Sequence, residues 1–239
     1  MNLKSLPPCQ AVIVAAGSGS RMNCGVDENG IPMNKVFLEL AGIPVLAHTL
    51  LAFEHCSRIG EIVVVTREYD IAACMSLIDE FGITKVTLIT AGGKTRQESV
   101  MCGLRGIKNN PELVAIHDGA RCLIEPDLIE KVIACASACG ASAAGIPCKD
   151  SLKRVDGRLS IAEDIAREGV WQVQTPQVFR FAEILDAHRR AAEEGFFATD
   201  DSSIAQRYGI SVQMVESTSL NLKITTQEDL LLAQAYLQM

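Results

Sequence analysis

The sequence lacks long apolar runs, and its cysteines and histidines follow no regular spacing. In 239 residues no stretch approaches the ~18 apolar residues of a transmembrane helix. The start, MNLKSLPPCQAVIV, does not have the layout of a signal peptide. The nine cysteines run from Cys9 to Cys148 without a disulfide-like pattern, and the four histidines show no ligand spacing. We therefore expect a cytoplasmic protein with reduced cysteines and no membrane association.

An excess of positive charge is also missing. The chain has 22 basic and 29 acidic residues, which gives a formal net charge of -7. This balance argues against a general nucleic-acid-binding or anionic-membrane surface. An anionic ligand must therefore be met by a local basic cluster. The hydrophobic fraction of 48% is ample for a contiguous core.

Apolar runs typical of buried strands alternate with segments of helical period. The strand-like runs are AVIVAA at 11–16, EIVVVT at 61–66, KVTLIT at 85–90 and ELVAIHD at 112–118. The amphipathic segments between them cover 44–56, 70–81 and 95–107. Short right-handed crossovers then predict an α/β fold, a mostly parallel sheet with helices on both faces.

Glycine-bearing or charged turns follow three of these strands. They are Gly17-Ser18-Gly19-Ser20-Arg21-Met22, Gly92-Gly93-Lys94-Thr95-Arg96 and Asp118-Gly119-Ala120-Arg121. Ligands gather at the carboxyl ends of strands in such sheets, so we expect these turns to share one rim. The first turn suits phosphate oxygens, because small residues leave its backbone N–H groups accessible beside a cation. Asp118 is a candidate to hold a magnesium ion or a ribose hydroxyl, or to cap a helix.

The first turn does not match the two best-known phosphate motifs. Met22 occupies the third glycine position of the dinucleotide G-x-G-x-x-G pattern, and no G-K-[ST] of a P-loop is present. The second strand ends at Thr66-Arg67, where a nicotinamide-dependent oxidoreductase carries an acidic residue. These features disfavour an oxidoreductase.

A charged segment after the fourth strand predicts a projecting arm. Residues 147–175 alternate weakly in hydrophobicity and contain the hairpin dipeptide Asp156-Gly157. We predict a two-stranded β-arm at about 147–170 that packs on a second subunit, since such an arm has little core of its own. No linker or repeat interrupts the chain, so we expect a single domain over 1–239. Thr225 and Glu228 predict a capping box before a C-terminal helix.

These motifs together resemble a known family. They are AAGSGSRM, NKVFLELAGIPVLAHTL, GGKTRQESVMCGL, HDGAR, KDSLKR, WQVQTPQVF, ATDDSS and NLKITTQEDL, in that order along the chain. In this combination the sequence resembles the 2-C-methyl-D-erythritol 4-phosphate cytidylyltransferases, the IspD family, from end to end. The resemblance implies a Rossmann-like nucleotidyltransferase fold, a homodimer with exchanged arms and magnesium dependence. It also implies transfer of CMP from CTP to the acceptor phosphate in non-mevalonate isoprenoid synthesis.

The resemblance also implies roles for individual residues. The positions that match CTP-binding residues are Ala15, Ala16, Gly17, Ser18, Gly19, Gly93 and Ser99. The positions that match two cations at the reacting phosphate are Arg21 and Lys35, and those of the strand-end pair beside the nucleotide are Asp118 and Arg121. The positions that match residues holding the methylerythritol phosphate are Ser151, Arg167, Thr175 and Lys223. By this analogy Ser151 and Arg167 reach the active site of the other subunit, Arg167 and Lys223 act with the catalytic cations, and Asp118 is the metal-site residue.

Alternatives to this function stay open at the level of sequence. Ribitol 5-phosphate cytidylyltransferases share most of these motifs, so the acceptor is open between the two polyol phosphates. A non-catalytic protein that senses nucleotides is the alternative from a different class. Taken alone, Lys35 and Arg167 also fit solvated surface positions, and Thr175 fits a helix cap.

Overall fold

The computed structural model describes residues 8–17, 19, 22, 25, 26, 30 and 32–238. The strands are β1 (Cys9–Val14), β2 (Glu39–Leu40), β3 (Ile43–Pro44), β4 (Ile59–Thr66), β5 (Val86–Ala91), β6 (Leu113–Asp118), β7 (Ala141–Pro147), β8 (Leu152–Val155), β9 (Ile161–Ile165), β10 (Trp171–Arg180) and β11 (Gln213–Glu216). The helices are α1 (Val45–His55), α2 (Ile71–Glu80), α3 (Arg96–Gly106), α4 (Pro126–Cys139), α5 (Phe181–Glu194), α6 (Asp201–Arg207) and α7 (Gln227–Leu237). Within the described part of the chain, no helix is both long enough and apolar enough to cross a bilayer.

A seven-stranded sheet forms the centre of the fold, in the order β11-β7-β10-β6-β1-β4-β5. β1 pairs in parallel with β4 and β6, and β4 pairs in parallel with β5. β10 runs antiparallel to both of its neighbours, β6 and β7, while β11 is parallel to β7. The expected α/β class with a mostly parallel sheet is therefore confirmed.

The apolar side chains of β1 explain why helices cover both faces of the sheet. Successive residues of a strand point to opposite faces. Ile13 belongs to the cluster that contains Phe53 of α1 and Ile129 of α4. Its neighbour Val12 belongs to the cluster that contains Leu104 of α3 and, from α5, Ile184. A strand buried on both faces needs apolar residues at every position, and this requirement produces the uninterrupted run.

Strand β10 differs from the sequence-based expectation. We expected Thr175 to Gln177 to lie just before a helix, but they lie in the middle of this sheet strand. Gln177 is buried, and its Nε2 donates to Asp200 Oδ2 at 3.0 Å and to the Gln174 carbonyl at 3.2 Å. Polar side chains with internal partners cost little when buried. A polar segment could therefore enter the core, against the expectation from its composition.

The arm and the C-terminal helix are close to expectation. β8 and β9 form an antiparallel pair joined by 156–160, and the Asp156 carboxylate accepts hydrogen bonds from the N–H groups of Arg158 and Ser160. Strands from both sides of this arm enter the same central sheet. The capping box of α7 is displaced by one residue, because Thr226 and Asp229 form it instead of Thr225 and Glu228.

Candidate active site at the carboxyl edge of the sheet

The turns after β1, β5 and β6 meet in one cleft of about 350 Å³. Parallel strands carry their carboxyl ends to a common edge, and this places turns that are distant in sequence side by side. The expected site residues that line the cleft are Ala15, Ala16, Gly17, Gly19, Lys35, Gly93, Ser99, Asp118 and Lys223. Ser18 and Arg21 lie outside the described residues.

The turn after β5 packs closely against the loop after β1. A Cβ atom added to Gly92 would lie 2.5 Å from the Ala16 Cβ, and one added to Gly93 would lie 2.3 Å from the Glu98 Cβ. No side chain other than hydrogen fits at either position. The Ser99 hydroxyl accepts from the Gly93 N–H at 3.2 Å and donates to the Thr95 carbonyl at 2.8 Å. Two residues of the expected nucleotide site therefore belong to one rigid turn.

Asp118 is the acidic side chain that lines the cleft within the described part of the chain. Its carboxylate lies 3.0 Å from Arg96 Nε, 2.9 Å from Lys223 Nζ and 3.7 Å from Arg121 Nε. Burial by itself raises the pKa of Asp118, but the charges of Arg96, Lys223 and Arg121 outweigh burial and hold the pKa well below its usual range. The carboxylate therefore stays ionised and holds three cations at the strand end.

A buried chain of ionic contacts extends behind Asp118. Arg96 Nη1 lies 2.8 Å from Asp201 Oδ2, and Asp201 Oδ1 lies 3.1 Å from His188 Nε2. Burial raises the pKa of Asp201, but the charge of Arg96 and the hydrogen bond from His188 outweigh burial. The pKa of Asp201 is therefore below its usual value. The guanidinium of Arg96 thus bridges a carboxylate in the cleft and a carboxylate between α3 and α5.

Thr175 lies behind the cleft, where it holds the end of β6. Its hydroxyl oxygen accepts from the Asp118 N–H at 3.0 Å and lies 3.1 Å from His117 Nδ1. His117 Nε2 faces the Arg121 carbonyl at 3.3 Å, so this nitrogen carries the proton and Nδ1 accepts from the threonine hydroxyl. Burial lowers the pKa of His117 to about 3, which keeps the ring neutral. This series of hydrogen bonds holds the carboxyl end of β6 in place. It runs from Asp118 through Thr175 and His117 to Arg121.

The segment 221–225 brings a cation from the far end of the chain. The Asn221 side chain is buried and donates to Gln174 Oε1 and to the Thr175 carbonyl, both at 2.9 Å. Arg121 Nη1 donates to the Asn221 carbonyl at 2.7 Å. The N–H of Ile224 donates to the Ala120 carbonyl at 2.8 Å. These bonds place Lys223 beside Asp118.

Lys35 enters the cleft from the opposite side. It opens a 3-10 turn at Lys35–Phe37, and its Nζ donates to the Ile224 carbonyl at 2.6 Å. A Cβ atom added to Gly19 would lie 3.8 Å from the Lys35 side chain. Gly19 itself has a φ of 63°, a left-handed conformation that favours glycine. The lysine therefore spans the space between the glycine loop and the C-terminal segment.

The two arm residues do not line this cleft. Ser151 and Arg167 are exposed, and Arg167 Nη1 donates to the Lys149 carbonyl within the arm. Both lie next to the paired strands β8 and β9. Within one chain the structure does not bring these residues to Asp118.

Sequence analysis missed several residues that shape the site. Arg96 stands in the motif GGKTRQESVMCGL and Asp201 in ATDDSS, so both lie in motifs that carry the family resemblance. Nothing in the sequence indicates that the two residues pair. Asn34 contacts Asp70 and the Ala15 carbonyl after β1, and neither Asn34 nor Asp70 belongs to a strand-end motif. Such contacts depend on the crossovers of the fold, and of these four residues only Arg96 stands beside a glycine turn.

The chain is similar in sequence to known proteins over nearly its whole length. The family model described as 2-C-methyl-D-erythritol 4-phosphate cytidylyltransferase, IspD, matches residues 9–239. A protein of that name from Geotalea uraniireducens is 42% identical over 231 residues, which cover 95% of this chain and 96% of the relative. One from Syntrophotalea carbinolica is 43% identical over 229 residues, covering 95% and 94%.

Solved structures match over nearly the whole chain. The crystal structure of 4-diphosphocytidyl-2C-methyl-D-erythritol synthase from Anaerococcus prevotii has a TM-score of 0.84 at 28% identity, covering 98% of this chain and 97% of that one. That of 2-C-methyl-D-erythritol 4-phosphate cytidylyltransferase from Thermus thermophilus has a TM-score of 0.76 at 29% identity, covering 97% and 100%. The Rossmann-like nucleotidyltransferase fold implied by the sequence motifs is confirmed. With its motifs in family order and its fold shared from end to end, the chain belongs to the IspD family of 2-C-methyl-D-erythritol 4-phosphate cytidylyltransferases.

Proposed function

We propose that this chain transfers CMP from CTP to 2-C-methyl-D-erythritol 4-phosphate and releases pyrophosphate, a step of non-mevalonate isoprenoid synthesis. The observation that carries the proposal is the cleft, in which a glycine turn and Asp118 meet two lysines from distant parts of the chain. Family membership supplies the identity of the nucleotide and of the acceptor.

The glycine-bearing loops form the side of the cleft suited to the nucleotide. Small residues after β1 leave their backbone N–H groups free of side-chain cover, which is what phosphate oxygens require. The turn after β5, held by Ser99, packs against this loop and lines the same cleft. We assign CTP to this side, with Ser18 and Arg21 as further contacts on the strength of the family motif.

The lysines and the arginine at the end of β6 supply the charge for two anions. Lys223 and Arg121 both contact Asp118. We assign Lys223 to the acceptor's phosphate, and we assign Arg121, with Asp118, to the nucleotide. Lys35 lies next to the loop after β1, and its Nζ reaches the Ile224 carbonyl beside Lys223. Thr175 supports this side from behind through its bond to the Asp118 N–H.

The chemistry needs charge neutralisation more than proton transfer. An oxygen of the acceptor's phosphate attacks the α-phosphorus of CTP in line, the bond to the bridging oxygen breaks, and pyrophosphate leaves with that electron pair. A phosphate monoester has a second pKa near ~6, so the attacking group is already ionised at neutral pH. No histidine lines the described part of the cleft, as a reaction without a general base allows. Positioning and oriented cations then account for the rate.

Magnesium is the metal we propose for this reaction. Among the described residues, no group of three or more histidine, cysteine or acidic side chains is placed to hold a metal by itself. Mg²⁺ often takes one or two carboxylates and completes its shell with substrate phosphates and water. The single carboxylate of Asp118 fits this arrangement, and a cation there would neutralise charge on the phosphates of CTP.

We further propose that the chain is a homodimer that exchanges its arms. Val155, Leu159 and Ile161 on the arm are large apolar residues that are 47%, 82% and 68% exposed. Such a surface gains free energy when a partner covers it. The exchange would also carry Ser151 and Arg167 towards a second cleft.

The described cysteines are all unpaired, which supports a reducing compartment such as the cytoplasm.

The function is tested with purified protein, magnesium and CTP. Pyrophosphate release is followed with 2-C-methyl-D-erythritol 4-phosphate and, in parallel, with ribitol 5-phosphate. We expect turnover with the first acceptor and a strong preference for it. Preference for ribitol 5-phosphate would replace the acceptor, and release with neither acceptor would favour a non-catalytic nucleotide sensor.

Exchanged arms predict complementation between two inactive variants. Arg167→Ala and Lys35→Ala chains, mixed by unfolding and refolding, should recover up to about a quarter of wild-type activity per protein. This fraction follows because half of a random mixture is heterodimer and each heterodimer has one intact site. Activity is measured on this mixture and on tagged, isolated heterodimers, which should show about half of wild-type activity because one of their two sites is intact. The matched control is Arg154→Ala, an arm arginine paired with Glu163 at 2.8 Å, which should be active without mixing. No recovery in verified heterodimers would exclude shared sites.

A further inference from the structure

A closed ring of hydrogen bonds holds the segment that precedes Lys35. The Asn34 side chain donates through Nδ2 to the Ala15 carbonyl and to Asp70 Oδ2, both at 2.9 Å. Its Oδ1 accepts from the Val36 N–H at 3.3 Å, which caps the 3-10 turn that Lys35 opens. One amide therefore joins the end of β1, the start of α2 and the turn that carries the lysine.

Arg67 closes the ring on its far side. Its Nε and Nη2 contact the two Asp70 oxygens at 2.5 and 2.8 Å, and its Nη1 donates to the Pro32 carbonyl at 2.8 Å. The path from Pro32 through Asn34, Asp70 and Arg67 returns to Pro32. Two-point pairing of an arginine with a carboxylate fixes direction as well as distance.

Burial stiffens the Asn34–Asp70 side of this ring, whereas the bond from Arg67 to Pro32 lies at the surface. Asn34 is 3% exposed and Asp70 8% exposed. A buried polar group that loses its partner cannot turn to water instead, so alternative conformations of the segment are unfavourable. The ring is also anchored on Ala15, and both Ala15 and Asn34 line the cleft. The backbone of Lys35 is thus tied to the same strand end as the glycine loop.

We propose that Asn34 is a positioning residue, which acts through the ring of Asp70, Arg67 and Pro32 to hold Lys35 at the reacting phosphate. This inference rests on the proposed function, in which Lys35 neutralises charge during cytidylyl transfer. The Asn34 amide carries no charge with which to neutralise a phosphate itself. Its effect is to hold the backbone of Lys35 at a fixed position relative to the loop after β1.

Removal of the Asn34 amide should therefore reduce turnover more than substrate binding. Asn34→Ala leaves the Ala15 carbonyl and the Val36 N–H without their partner and frees the turn. We expect kcat to fall about tenfold, because small displacements of an oriented group cost rate steeply. The KM for the acceptor should change less than about twofold, since Lys223 is held by its contact with Asp118 and by the bond from the Ile224 N–H to the Ala120 carbonyl.

A double-mutant cycle tests the proposal. If Asn34 acts through Lys35, Asn34→Ala should lower kcat by less than about twofold in a Lys35→Ala background. A merely structural role would lower kcat by the same factor in both backgrounds. The matched control is Ser142→Ala, which removes a buried hydroxyl that donates to the Val132 carbonyl at 2.7 Å, away from the cleft. It should leave kcat unchanged and show no coupling to Lys35.

The outcomes separate this inference from the proposed function. If wild type turns over and Asn34→Ala keeps full kcat, or its loss is independent of Lys35, the inference is overturned and the function stands. If wild type proves inactive with both acceptors, the proposed function fails, and the inference that rests on it falls as well. If Asn34→Ala does not fold, Arg67→Met opens the ring at Pro32 and should show the same coupling to Lys35 with a smaller loss.

Discussion

Asp118→Asn is expected to lower kcat/KM for cytidylyl transfer by about 10³-fold, the upper end for one oriented electrostatic group. The substitution keeps the size of the side chain and removes its charge. Arg96, Lys223 and Arg121 then lose their common counter-ion and repel one another, so that the cations no longer converge on the phosphates. The proposed magnesium ion also loses its protein carboxylate. Steady-state kinetics over a magnesium titration should show a higher magnesium requirement in the variant.

The pH dependence of activity distinguishes titration of the Asp118 carboxylate from titration of the acceptor's phosphate. Because its neighbours hold the pKa of Asp118 far below the usual range, the group stays ionised at every pH where the enzyme is assayed. Activity should fall towards acid with the acceptor's phosphate, whose second pKa is near ~6. This acid limb should persist in Asp118→Asn at its lower rate. A limb that disappears with the substitution would assign the titration to Asp118.

The matched control for Asp118 is Asp201→Asn. Both carboxylates are buried and both pair with Arg96, but Asp201 faces α5 and does not line the cleft. Removing one partner of a buried ion pair costs roughly 3–5 kcal/mol, so both variants should unfold at lower temperature. Only Asp118→Asn should lose activity by orders of magnitude. An equal loss in both variants would show that the effect comes from damaged packing.

Lys35→Met should lower kcat by about 10²-fold with a much smaller change in KM for CTP. Methionine preserves the apolar stem and removes the ammonium group that reaches the Ile224 carbonyl. The cation is proposed to act on charge that develops at the reacting phosphate, so its loss raises the barrier more than it weakens ground-state binding. Single-turnover measurements with saturating CTP report the chemical step.

Lys85→Met is the matched control for Lys35→Met. Lys85 also donates through Nζ to a backbone carbonyl, that of Cys56 at 2.8 Å, but it lies before β5 and away from the cleft. It should keep kcat within about twofold of wild type. If Lys35→Met retained kcat within about threefold of wild type, the lysine would have no part in the mechanism.

The half of the sheet around β1 was predictable from sequence because its strands are buried on both faces. The runs at 61–66 and 112–118 coincide with the ends of β4 and β6, and the first run was placed two residues late against Cys9–Val14. Helices α1, α2 and α3 begin and end within about one residue of their predicted limits. Period and composition determine such elements, because each face must be apolar.

The candidate site divides in the same way. Glycine turns and a strand-end aspartate carry a local signature, so Gly17, Gly93 and Asp118 were found from the rule that ligands collect where parallel strands end. Asn221, Asn34 and Asp201 carry none, because each is polar, buried and bonded to residues that are distant in the chain. Their neighbours exist only after the crossovers have formed.

Residue pattern and motifs were enough to predict the α/β class, the glycine turns at one sheet edge and the resemblance to a cytidylyltransferase family. The tertiary structure alone decided that the antiparallel β10 enters the sheet, that Arg96 joins Asp118 to Asp201, and that segment 221–225 brings Lys223 to the strand end. The physical reason is the range of the interactions involved. Backbone period and turn chemistry act within a few residues, whereas burial of polar and charged groups is settled by partners that only the folded chain provides.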